Sequence, residues 1–184
     1  MRKELISILT AALLLCSGCT VEKKDAEAAS LASYEGYYKA VADSSRFQKG
    51  SLYYSISAEM SQLPDGTHRY YVFLDNPQVA MYDIVMMAVE NDTALADAKK
   101  MFPSIGIFDN ANYSMIPSQV YSDGGYVKGL MMSGETSDPS VTLKIIVEWN
   151  DQSNSKVYRE FIAMTVSMDG VSYPDGTEEA TSIQ

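Results

Sequence analysis

Between residues 141 and 149, Val141, Leu143, Ile145, Val147 and Trp149 take every second position, with Thr142, Lys144 and Glu148 between them. A period of two sends successive side chains to opposite faces of an extended chain, so this stretch predicts a strand with one face on a core. A polar turn over 151–155 follows, and 156–166 reads as the antiparallel partner of a hairpin. Earlier, the runs 52–62 and 68–74 flank Leu63, Pro64, Asp65, Gly66 and Thr67, and an Asp-Gly pair between two extended runs marks a tight hairpin turn. Asn76 and Pro77 end the second run, because proline cannot donate to a ladder. The run 81–89 is almost wholly apolar, the pattern of a strand covered on both faces.

Other periods interrupt this series. Leu31, Tyr34, Tyr38 and Val41 recur at steps of three and four, which predicts one short helix over 31–47 despite Gly36, its tyrosine stripe packed on a sheet. Residues 91–100 allow a turn or two of helix capped by Asn91 or Asp92 and closed by Phe102-Pro103. Short extended pieces are expected at 105–108, 113–116 and 126–133, and the tail after Ser167 is expected to be loosely ordered. About seven strands with regular turn punctuation make the chain mainly β, an antiparallel sandwich with one short N-terminal helix. The late hairpin around Trp149 resembles those of immunoglobulin-like domains in extracellular bacterial proteins.

The first residues have a different logic. Arg2 and Lys3 precede an apolar run from Leu5 to Leu15, and Ser17-Gly18 form a small-residue exit. That is the anatomy of a secretory signal, and the run is short for a permanent span. The exit Leu15, Cys16, Ser17, Gly18, Cys19 resembles the bacterial lipobox of signal peptidase II substrates, with Cys16 standing where that family usually carries Leu. The resemblance implies cleavage before Cys19, lipid on its thiol, and a place on the outer face of the bacterial cytoplasmic membrane. It is shared with small surface lipoproteins of Gram-positive bacteria. An ordinary signal peptide cut near Ala28-Ala29 is the other reading.

The expected layout is therefore a signal peptide over 1–18, a lipidated flexible tether over 19–30, a sandwich over 31–168 and a loose tail over 169–184. Drawn out at ~3.3 Å per residue, the tether would reach on the order of 35 Å.

Charge narrows the partners. The formal net charge is −10, and loss of Arg2, Lys3 and Glu4 with a leader makes it −11. Nucleic acid and anionic lipid surfaces recruit Lys and Arg, so both are disfavoured as partners of so acidic a domain. Cys16 and Cys19 are the only cysteines, which removes disulfides, thiolate metal sites and cysteine catalysis from the body.

Candidate chemistry is sparse. His68 is the only histidine, beside Arg69 at a hairpin shoulder, and no Gly-x-Ser-x-Gly elbow accompanies it. Carboxylate pairs such as Asp65 with Asp75, or Asp109 with Asp123, are the raw material of glycosidase chemistry. The oxygen-rich stretch Asp109, Asn110, Ala111, Asn112 lacks the glycine and distal glutamate of an EF-hand. Gly124-Gly125 is not followed by the Lys-Ser/Thr of a phosphate loop, and Gly134 leads into Glu135. No cofactor and no metal is expected.

What stands out is a middle rich in Tyr and Met, whose side chains serve either as core or as adaptable contact surface. Tyr113, Tyr121 and Tyr126, in or near loops, are the candidate partner-binding residues. The expected function is non-enzymatic binding of an envelope protein or glycan, with an envelope hydrolase or a structural part of a surface assembly as rivals.

Overall fold

A computed structural model describes residues 18–109, 111–119 and 125–181. Eight strands follow one helix: α1 (Gly18–Asp43), β1 (Ser55–Gln62), β2 (His68–Asp75), β3 (Tyr82–Glu90), β4 (Ser104–Ile105), β5 (Gly129–Thr136), β6 (Ser140–Asn150), β7 (Val157–Ser167) and β8 (Gly170–Ser172). They form two antiparallel sheets, of order β1-β2-β5 and β4-β3-β6-β7-β8. The first, second and fifth strands thus share one sheet, and the third, fourth, sixth, seventh and eighth share the other, the two-sheet arrangement of an antiparallel β-sandwich.

Both anticipated hairpins are present. Gln62 pairs with His68 across the Asp65-Gly66 turn, where Gly66 takes φ 86°. Asn150 pairs with Val157 across the polar turn. There the Asp151 carboxylate accepts from the Ser155 N–H at 2.8 Å and from the Ser153 and Ser155 hydroxyls.

The molecule has three layers. Met60, Tyr70, Val72, Leu74 and Met132 of the small sheet meet Ile84, Met86, Leu143, Ile145 and Ile162 of the large one across the main core. The opposite face of the large sheet, with Met87, Val89, Ile146 and Ala163, packs on Tyr34 and Val41 of α1 and on Phe47. This second core is why β3 carries apolar residues at consecutive positions: Ile84, Met86 and Ala88 face one layer, Met87 and Val89 the other. Tyr34 Oη accepts the Phe102 N–H at 2.6 Å, and Tyr37 Oη donates to Glu148 at 2.6 Å. The helix is therefore stitched to the sheet as well as packed on it.

Two boundaries differ from expectation. The helix begins at Gly18, so the stretch expected as an extended tether is helical. Residues 22–29 are Glu, Lys, Lys, Asp, Ala, Glu, Ala and Ala, mostly strong helix formers, and intrinsic propensity outweighs the absence of an apolar stripe. At ~1.5 Å per residue a helix from Cys19 to Tyr34 spans about 22 Å, less than half its extended reach. Lys24 to Ala29 are exposed on every side, and α1 first becomes buried at Tyr34. Gly36 does not break it, since its position is open to solvent with nothing near its missing Cβ.

The tail expected to be loose is partly tied down. β8 pairs with β7, turning at Gly170 with φ 119°. Beyond it, the Glu178 N–H donates to Phe47 O and Glu178 O accepts from the Lys49 N–H, both at 2.8 Å. No described helix is long and apolar enough to cross a membrane.

Candidate aromatic pocket

In this sandwich, three connections and the lead-in to β1 meet at one end. The register places Asp75 beside Ser55 and Gly129, and Tyr82 beside Asn150. The residues before β1, the β2–β3 loop, the approach to β5 and the β6–β7 turn therefore share that end.

A recess of about 220 Å³ opens here, lined by Tyr53, Val79, Ala80, Trp149, Asp151, Gln152, Lys156 and Tyr158. Trp149, the last core-facing residue of β6, is only 1 % exposed and forms its floor. Tyr158, its cross-strand partner, stacks on it at 5.4 Å between centroids and 13° between planes. Tyr53 leans against it at 5.8 Å, and Tyr54 meets it edge-on at 5.7 Å. Lys156 Nζ lies 5.0 Å from the Tyr158 ring centre. Such a recess falls below the roughly 300–1,000 Å³ of drug-sized sites, so it takes one head group, side chain or sugar ring.

Beside Tyr54 lies a buried carboxyl. Glu160 is two residues beyond Tyr158 on the same strand face and is 1 % exposed, the only buried charged residue among those described. Its carboxyl oxygens and the Tyr54 hydroxyl are out of contact with solvent and make no close hydrogen bond among the described residues, Ser51 and Tyr54 being the nearest polar neighbours of the carboxyl. Burial pushes Glu160 above the ordinary glutamate range, while nearby Ser51 and Tyr54 pull it partly back. Burial and the Glu160 charge together push Tyr54 well above the ordinary phenol range.

The sign of the linkage follows. The folded state holds the Glu160 proton more tightly than the unfolded state, so its stabilising contribution is complete below about pH 4.5 and is lost as pH rises through the raised folded pKa. Glu160→Gln, neutral at every pH, is expected to be more stable than the parent at pH 7 by on the order of 1–3 kcal/mol. Its advantage shrinks toward pH 4. Urea unfolding of both proteins from pH 4 to 8 checks this, and a constant difference across the series would contradict it.

The residues singled out from the sequence are placed elsewhere or lie outside the description. Tyr126 is half-buried with its ring edge-on to Tyr82 at 6.3 Å. Tyr113 is also half-buried, packs against the main core and accepts the Ile84 N–H at its carbonyl. Neither lines the recess. Tyr121 lies outside the described residues, as do Asn110 and Asp123. Cys19 falls within the residue range of α1.

Asp65 stands in the β1–β2 turn and Asp75 at the opposite end of β2, so that pair cannot face one sugar bond. Asp109 accepts the Gly106 N–H at 2.8 Å. His68 Nδ1 is buried without a hydrogen-bond partner among the described residues. Among the described residues no three His, Cys, Asp or Glu gather as a metal site would require.

A second set of clefts borders Lys99, Lys100 and Met101, but its main charges are internally matched. Lys100 pairs with Glu90 at 3.1 Å and Arg69 with Glu135. Tyr70 Oη donates to the same Glu90 at 2.6 Å.

Tyr53, Tyr158 and Glu160 did not stand out in the sequence. Tyr158 and Glu160 were legible in position, because the hairpin register sets them opposite Trp149 and Val147; Tyr53 reaches this end only through the packing of the two sheets, which also buries Glu160. Set against protein-family models, curated proteins and solved structures, the chain matches none of them.

Proposed function

We propose that the protein is a non-enzymatic binding module, anchored by lipid on Cys19 to the outer face of the bacterial cytoplasmic membrane, that holds an envelope protein or glycan in the recess beside Trp149. The observation carrying this reading is the recess itself. Three aromatic rings converge with Asp151, Gln152 and Lys156 at the loop end of an immunoglobulin-like sandwich. Aromatic walls with a polar rim recognise small groups by contact area and a few directed bonds. The anchor rests on the lipobox-like residues Ser17, Gly18 and Cys19. The exposed stretch of α1 from Lys24 to Ala29 supports a stalk that holds the sandwich away from the lipid.

Affinity capture from envelope extract, with the full chain and with Tyr158→Leu, tests the binding reading. One partner recovered by the parent and lost by the variant is the expected result. Glycan cleaved by the protein would replace this reading with the hydrolase, and equal capture by both proteins would move the site elsewhere. For the anchor, Cys19→Ser is expected to shift most of the protein from the membrane fraction to the medium, or to leave it uncleaved. Unchanged processing with unchanged membrane retention would refute lipidation.

A further inference from the structure

We infer that the recess beside Trp149 recognises a cation, specifically an ammonium head on a short alkyl arm. This deepens the binding reading and rests on it.

Three observations converge. The faces of aromatic rings attract cations, most strongly tryptophan and tyrosine, and the recess walls are Tyr53, Trp149 and Tyr158. The protein already places one ammonium there, with Lys156 Nζ held 5.0 Å from the Tyr158 ring centre at the shoulder of the β6–β7 turn. Two residues along β7 from Tyr158 sits Glu160, a buried carboxyl whose nearest polar neighbours are the neutral side chains of Ser51 and Tyr54, with no cation among the described residues paired to it. A buried carboxyl without a paired cation biases the space near it toward positive charge, because little water intervenes to screen it.

The wider field agrees with the local one. With 24 acidic against 14 basic residues, the chain draws cations toward its surface and repels anions. The small volume fits a head group and excludes a long chain. Lys156 then acts as a resident stand-in, which an incoming ammonium displaces by swinging the turn's side chain into water.

Two sources supply this chemistry: a primary amine at the end of a lysine-like side chain, or a quaternary ammonium of a choline-like head group. Trp149 is the only tryptophan, so its emission reports directly on the recess. The full chain is titrated with n-butylammonium, choline, the uncharged choline isostere 3,3-dimethylbutan-1-ol, and methyl glucoside.

Saturable change with an ammonium probe, at least tenfold weaker with the alcohol, is expected. Preference for butylammonium assigns the lysine-like source, and preference for choline the head group. Lys156→Ala is expected to bind several-fold tighter because the competitor is gone. Tyr158→Leu is expected to bind at least tenfold weaker with its unfolding midpoint close to the parent's, which separates loss of the ring face from loss of the fold. Glu160→Gln is expected to weaken the ammonium several-fold and leave the alcohol unchanged.

Equal binding of alcohol and ammonium, or preference for the glucoside, overturns the cation inference while leaving a binding recess in place. Silence of Trp149 with all four probes also overturns it, and the envelope capture above then judges the binding reading separately.

Discussion

Trp149→Ala is expected to lower the unfolding free energy by about 3–5 kcal/mol, the range for truncating a buried tryptophan. The indole is 1 % exposed and is touched by the rings of Tyr53, Tyr54 and Tyr158. Its loss removes one large apolar surface and the partner of three aromatic contacts, and opens the layer holding Glu160 to water. Collapse around the gap is limited because Tyr158 is fixed by the β6–β7 ladder and Tyr54 is itself buried.

The variant has no tryptophan, so urea unfolding is followed by far-ultraviolet circular dichroism. Trp149→Phe, which keeps a ring on the floor, is expected to recover more than half of the loss. A cost below about 1 kcal/mol for alanine would mean that the floor is not the packed element described here.

Gly106→Ala is the second large effect, expected to cost about 2–4 kcal/mol from two additive sources. Gly106 has φ 79°, where an L side chain costs roughly 1–2 kcal/mol. Its new Cβ would also press into the Ile84 carbonyl, deep inside van der Waals contact, and backbone cannot rotate aside as a side chain can. Ile84 belongs to β3, the strand that faces both cores, so displacing it disturbs the sandwich and the helix layer together. Gly66→Ala provides the comparison: φ is 86° there and the space around it is empty. Only the conformational cost remains, roughly 1–2 kcal/mol. Thermal or urea unfolding of the pair isolates the steric part, and equal losses would show that Ile84 yields.

Much of the fold was legible in one dimension because burial writes itself into the chain at the period of the local structure. The alternation ending at Trp149 and the Asp-Gly turn at Asp65-Gly66 are local signals, and each became the predicted hairpin. The unbroken apolar run of β3 likewise announced two covered faces. Before Leu31 two local signals compete: the polar composition suggests a tether, while the Ala, Glu and Lys content favours the helix that forms. The tail was read as loose because the backbone bonds of Glu178 to Phe47 and Lys49 join residues far apart in sequence.

The candidate site was far less legible, for the same physical reason. Tyr113, Tyr121 and Tyr126 were singled out for lying near loops, but proximity to a loop does not say which way a ring points. Tyr113 turned to the core and Tyr126 to Tyr82. The recess instead joins Tyr53, which precedes β1, to Val79 and Ala80 of another loop and to a hairpin about a hundred residues later.

Alone, the sequence determined the strands with their inward faces, the two tight hairpins, the strong negative charge and the thiol-free body, since each is a property of neighbouring residues or of composition. Tertiary structure alone decided that Glu160 would be buried and that Tyr53, Trp149 and Tyr158 would close on one small space. Those outcomes depend on how two sheets are laid face to face, and no period along a single strand records which residue of the other sheet will arrive opposite.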